Sequence, residues 1–134
     1  MVQVNTIPDG WRKLEQPNKR LELVSLLSEL ADKEAQERLW IRHEDYPNSS
    51  GIDEIFHFIF DDTDIGDEPK SLIGIVFLNE QEAYELETLS ALLSRMLNRL
   101  GNMSSEYYMR DDEWPLVMSQ AMSALQRLQD DSHS

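Results

Sequence analysis

The 134-residue chain has no cysteine. That excludes a disulfide framework, a thiolate metal site and a cysteine nucleophile. Its five glycines are scattered, and no phosphate-binding loop or glycine-rich dinucleotide turn is present. HExxH and GxSxG motifs are also missing. No uncharged apolar stretch approaches the ~20 residues that a membrane-crossing helix needs. The opening "MVQVNTIPDGWRKLEQP" lacks the basic start and apolar run of a signal peptide, so a cytoplasmic protein is expected. Bases are scarce as well, with 12 Lys and Arg against 26 Asp and Glu. The two basic doublets, "RK" at 12–13 and "KR" at 19–20, form no stripe for nucleic acid. A net charge of −14 repels both polynucleotides and anionic membranes.

That charge is unevenly placed. Residues 1–42 carry seven acids and seven bases, residues 43–94 thirteen acids and one base (Lys70), and residues 95–134 six acids and four bases. The middle therefore holds −12 of the −14. A field this lopsided speeds encounter with a cationic protein, although acidity also serves solubility alone.

The length suits one domain. Pro8, Gly10 and Pro17 break the first seventeen residues, and Trp11 there is expected to tuck against the body. From Asn18, Leu23, Leu27 and Leu30 share a helical face widened by Val24, Leu26 and Ala31. Asp32 is placed to cap a second helix, "DKEAQERLWIRH", with Leu39 and Trp40 inward. "EDYPNSSG" is a loop. In "GIDEIFHFIF" the alternation of Phe56, Phe58 and Phe60 fits a strand, whereas Ile52, Ile55, Phe56, Ile59 and Phe60 make one helical stripe. Ser50 and Asp53, spaced like a capping box, favour the helix. "SLIGIVFL" reads as a short buried strand or extended segment, with Gly74 against a helix. Asn79 and Glu82 have the form of a capping box before a long helix whose stripe is Leu86, Leu89, Leu93, Met96, Leu97 and Leu100, stopped by Gly101. "SSEYYMRD" suits a short helix. A last helix from about Asp112 tolerates Pro115 in its first turn and directs Trp114, Val117, Met118, Ala121, Met122, Leu125 and Leu128 inward. The expected fold is mainly α: an irregular segment 1–17, a single bundle of five to six helices over 18–129 with at most a short extended segment near 71–78, and a frayed tail at 130–134.

"FDDTDIGDE" at 60–68 holds five carboxylates in nine residues. A calcium loop begun at Asp61 puts Gly66 at position six but Ile65 and Leu72 where oxygen ligands are required. His57 faces Asp53 and Asp61 as a helix-surface charge pair. Arg95 and Arg99, one turn apart, are expected to pair with nearby acids. The expectation is a protein with no catalytic residues, no metal and no cofactor. In its place stands a protein-binding surface of steering acids and aromatic anchors: Asp45, Tyr46, Asp53, Glu54, Phe58, Asp61, Asp62, Asp64, Asp67, Glu68, Tyr107 and Tyr108. Of the two adjacent tyrosines one is expected in the core and the other outside, about 100° apart on a helix.

The order of "ELADKEAQERLW", "GIDEIFHFIFDD", a long capped helix and "EWP" over residues 18–128 resembles a group of small acidic bacterial proteins. Some of these are immunity proteins of contact-dependent inhibition and other polymorphic toxin systems. Tyr107–Tyr108 in an acidic helical setting is similar to the tyrosine pair of nuclease-colicin immunity proteins. The resemblance implies neutralisation of a cationic toxin domain, often a nuclease, by occlusion through residues 43–68 with Tyr107 and Tyr108. The alternative is a regulatory or housekeeping helical domain, acidic for solubility and homodimeric through an apolar face.

Overall fold

The computed structural model describes residues 8–47 and 51–132. Among the described residues six α-helices follow in order: α1 (Pro17–Leu30), α2 (Lys33–Gln36), α3 (Ile52–Phe56), α4 (Glu80–Leu100), α5 (Ser105–Met109) and α6 (Trp114–Ser132). Among the described residues there is no β-strand; the segment expected to be extended contains one isolated bridge, Ile73 to Phe77. It is preceded by a 3-10 turn at Pro69–Leu72. Gly74 there has φ +88°, a conformation open to glycine and strained for most other residues.

Leucine spacing accounts for the core. Leu23, Leu27 and Leu30 of α1, Leu86, Leu89, Leu93 and Met96 of α4, and Val117, Ala121, Ala124 and Leu128 of α6 are all buried together. Burying such side chains contributes roughly 1.5–3 kcal/mol each. Asp32 caps α2 by accepting from the Ala35 amide at 3.2 Å. Helix α2 runs straight into a π-helical turn, Glu37–Ile41, which carries Trp40 into the core. There Trp40 meets Trp114 edge-on, with ring centroids 6.0 Å apart. Gln36 Oε1 accepts from Trp114 Nε1 at 3.1 Å.

The helical reading of "GIDEIFHFIF" holds, since α3 continues as a second π-helical turn over His57–Asp62. Ser50 lies outside the described residues. The Ile52 amide instead donates to Ser105 Oγ at 3.0 Å, so a hydroxyl from the start of α5 caps α3. Gly66 follows in the acidic loop, against the Phe60 ring, where a β-carbon would collide with that ring and with the Ile59 carbonyl. Gly66→Ala is therefore expected to lose about 1–3 kcal/mol in urea denaturation. An unchanged midpoint would show that the loop has room.

Two expectations are corrected. Met122 is 41% exposed, because the buried stripe of α6 runs through Val117, Ala121, Ala124 and Leu128 and Met122 sits about 100° from Ala121. The tail is not frayed from residue 130: α6 extends through Ser132, whose Oγ accepts from Trp11 Nε1 at 2.6 Å. Arg20, half of a basic doublet in the sequence, is fully buried. Its guanidinium forks onto both oxygens of buried Glu82 at 2.6 and 2.9 Å. It also donates to the Val76 and Leu128 carbonyls at 3.0 and 3.1 Å. The Trp11 ring covers it at 4.8 Å.

The expected capping box at α4 is thereby altered. Asn79 Oδ1 accepts from the Glu82 amide at 3.0 Å as anticipated. The Glu82 carboxylate, however, turns to Arg20 and to the Leu78 amide, the latter at 2.7 Å.

Candidate functional site

The acids of the middle third do not all stand free. Asp62 accepts from Lys19 Nζ at 2.9 Å, Asp61 lies 3.5 Å from His57 Nδ1, Glu44 pairs with Arg42 at 2.9 Å, and Glu82 is the buried partner of Arg20. The hydrogen bond to Asp62 raises the Lys19 ammonium's pKa, and the same bond, with the Lys19 charge behind it, holds the Asp62 carboxyl below the usual range. Among the described residues, Asp53, Glu54, Asp64, Asp67 and Glu68 form no ion pair and are exposed. Three of the four bases of the last third are used locally. Arg99 forks onto Asp111 and bonds Glu113, Arg95 pairs with Glu113, and Arg110 with Glu106. Hydrogen bonds from Arg99 hold the Asp111 carboxyl down to about 2 and that of Glu113 below its ordinary value. The negative field of the centre is thinned but not cancelled.

Asp53, Glu54, Asp64, Asp67 and Glu68 fall into two places, while Glu80, Glu85 and Glu87 stand apart on α4. Asp64, Asp67 and Glu68 lie in the loop after the second π-helical turn. Asp53 and Glu54 stand on the first turn of α3 beside an open cleft of about 410 Å³ lined by Trp40, Ile41, His43, Gly51, Asp53, Glu54, Ser104, Ser105 and Glu106. A second cleft of about 270 Å³ adjoins it, sharing Gly51 and Glu54 and adding Glu22, Ser25, Leu26, Glu29 and Ile55. Trp40 Nε1 donates to Glu29 Oε1 at 3.0 Å, which ties the wall of one cleft to that of the other. Five carboxylates (Glu22, Glu29, Asp53, Glu54 and Glu106) thus border these two neighbouring clefts, and among the described residues no lysine or arginine lines either, although Lys19 pairs with Glu22 from outside.

The aromatics separate sharply. Tyr46 is 83% and Tyr107 49% exposed, and Tyr107 follows Glu106 on the cleft-lining helix α5. Tyr108 is fully buried: its hydroxyl donates to the Gly101 carbonyl at 2.6 Å and its ring meets Phe56 edge-on at 5.5 Å. Burial and the nearby Asp53 charge raise its phenol's pKa. Tyr108 is therefore removed from the expected binding surface, because α5 directs it into the core. Phe58 is half-buried against the core, with Lys19 Nζ 5.6 Å from its ring centroid. Asp45 is half-buried in the turn before Tyr46.

Sequence reasoning missed Glu22 and Glu29. They lie seven residues apart on α1, which is two helical turns and hence one face, and that spacing was a usable signal. Glu106 and Trp40 join the site through tertiary contact alone. Among the described residues, no group of three or more His, Asp or Glu side chains is placed to hold a metal ion. None of the described helices is long and apolar enough to cross a membrane.

A family model described as a domain of unknown function (DUF7945) matches residues 14–134. No curated protein and no solved structure matches the chain.

Proposed function

The chain belongs to the DUF7945 family, a domain of unknown function, and from that premise we propose that it is a non-enzymatic binding protein for a cationic protein partner. The observation that carries this reading is the pair of neighbouring clefts bordered by five carboxylates and, among the described residues, by no lysine or arginine. Arginine and lysine side chains of a partner fit such a place. They gain charge-assisted hydrogen bonds, above all from Asp53 and Glu54, which form no ion pair among the described residues, whereas Glu22 already meets Lys19 and Glu106 meets Arg110; Tyr107 and Ile41 offer apolar contact at the edge.

In its more specific form, the proposal is that the partner is a toxin domain, basic because its substrate is a polyanion. The chain then neutralises it in the cytoplasm by covering its active site or a neighbouring surface, and does no chemistry of its own. The resemblance of residues 18–128 to immunity proteins supports this form, as does the central negative field, which steers a basic partner at low ionic strength.

The test is co-expression with the protein encoded immediately upstream, followed by stopped-flow mixing of the purified pair. Asp53→Lys with Glu54→Lys is expected to slow association about tenfold. Asp61→Lys with Asp62→Lys should act less, since His57 and Lys19 already engage those acids. Circular dichroism checks that both variants fold. The reverse ranking would move the interface away from the clefts, and growth unprotected by co-expression would count against the toxin partner.

A further inference from the structure

Helix α6 carries no charged residue from Pro115 to Gln126, about 18 Å of helix at 1.5 Å per residue. In a chain of net charge −14 this is a long run without charge, and part of it is exposed. Val117, Ala121 and Leu128 bury the inner side of α6, while Leu116, Ser119, Ser123 and Gln126 recur at spacings of three and four on the outer side. Leu116 is 52% exposed and Met122, at the edge, 41%. On the α4 side the face is closed by Glu85, which accepts from Gln120 Nε2 at 2.9 Å and from Ser123 Oγ at 2.8 Å.

We propose that this face of α6 is a self-association surface that takes α6 of a second copy of the chain in antiparallel orientation. Charge is the first reason. Two copies of a polyanion repel through every acidic surface, and a neutral face is where that repulsion costs least. Register is the second. Asp112 stands eight residues before Gln120 and Arg127 eight residues after Ser119. A two-fold axis passing between Ser119 and Gln120 brings each Arg127 to the N-terminal end of the other copy's α6, where Asp112 stands in the turn before Trp114. Both side chains are exposed; neither makes a direct ion pair among the described residues, and Arg127 is attracted through space to Asp131, one turn on. The same axis sets Leu116, four before Gln120, against Ser123, four after Ser119, a large side chain over a small one. Ser119 at the centre lets the helices approach closely.

Sedimentation equilibrium of the full chain tests this. A monomer–dimer equilibrium is expected, tightening as salt rises from about 0.05 M to about 0.5 M because screening relieves the net repulsion. Association with a cationic partner has the opposite salt response, so this test is independent of the proposed function. Ser119→Asp places two carboxylates across the axis and is expected to weaken the dimer about tenfold or more; its exposed position leaves helicity intact by circular dichroism. Arg127→Asp should also weaken it, and Asp112→Arg added to Arg127→Asp should restore it. A chain that is monomeric up to about 1 mM, or a dimer indifferent to Ser119→Asp, overturns the proposal. A charge swap that does not restore overturns the antiparallel register.

Discussion

Replacing either Arg20 or Glu82 with alanine is expected to lower folding stability by about 3–5 kcal/mol, the cost of leaving one charge buried alone. The pair joins α1 to α4 and, through the Leu128 carbonyl, to α6, so its loss loosens three helices at once. Against a total stability of about 5–15 kcal/mol, either single variant stands near the edge of folding. The double variant Arg20→Met, Glu82→Leu is expected to recover most of the loss. Desolvating both charges is itself costly, and apolar side chains of similar size avoid that cost. A urea-denaturation double-mutant cycle measures this directly, and additive losses would contradict a coupled pair.

The pH dependence has a defined sign. Burial raises the Glu82 carboxyl above its ordinary 4.5, outweighing the opposing hydrogen bond from Arg20. The folded state thus holds that proton more tightly, and this group's contribution to stability falls as pH rises through the raised value. Asp111 and Glu113 act in the opposite sense: their carboxyls are depressed by Arg99, so their contribution is present above the unfolded values and lost as pH falls through the depressed ones.

The second large effect separates the tyrosines. Tyr108→Ala is expected to cost about 3–5 kcal/mol, as for other large aromatic truncations in a core, with an added penalty for the orphaned Gly101 carbonyl. Tyr107→Ala should stay within about 0.5 kcal/mol of the parent in stability. Its effect should appear instead as faster dissociation from the partner, because anchor loss acts mainly on the off-rate. Equal stability losses at the two positions would contradict the placement of α5.

How much of this was legible in the sequence depended on range. Spacing of three and four placed Leu23, Leu27 and Leu30 on one face of α1, and did the same for the α4 stripe, because a helix's buried side follows from its own residues. Asp32 and Asn79 were readable as caps for the same local reason. The π-helical turns were not readable: they follow from how Trp40 and Ile59 seat in the core, and propensity carries no mark of that. Nor was the fate of Arg20, whose burial depends on Glu82, sixty-two residues later, and on a cover from Trp11. The acidic stretch at 60–68 drew the eye by density, yet Lys19 and His57 partly engage it. The two clefts instead collect Glu22, Glu29, Asp53, Glu54 and Glu106 from three separate helices.

The central claim is that exposed carboxylates without an internal counter-charge draw in a basic protein. Its most direct test is the association rate of the chain with the protein encoded upstream, followed by stopped flow as ionic strength rises from about 0.01 M to about 0.15 M. A fall of about tenfold or more is expected for steered encounter. A rate that stays level across that range would contradict it.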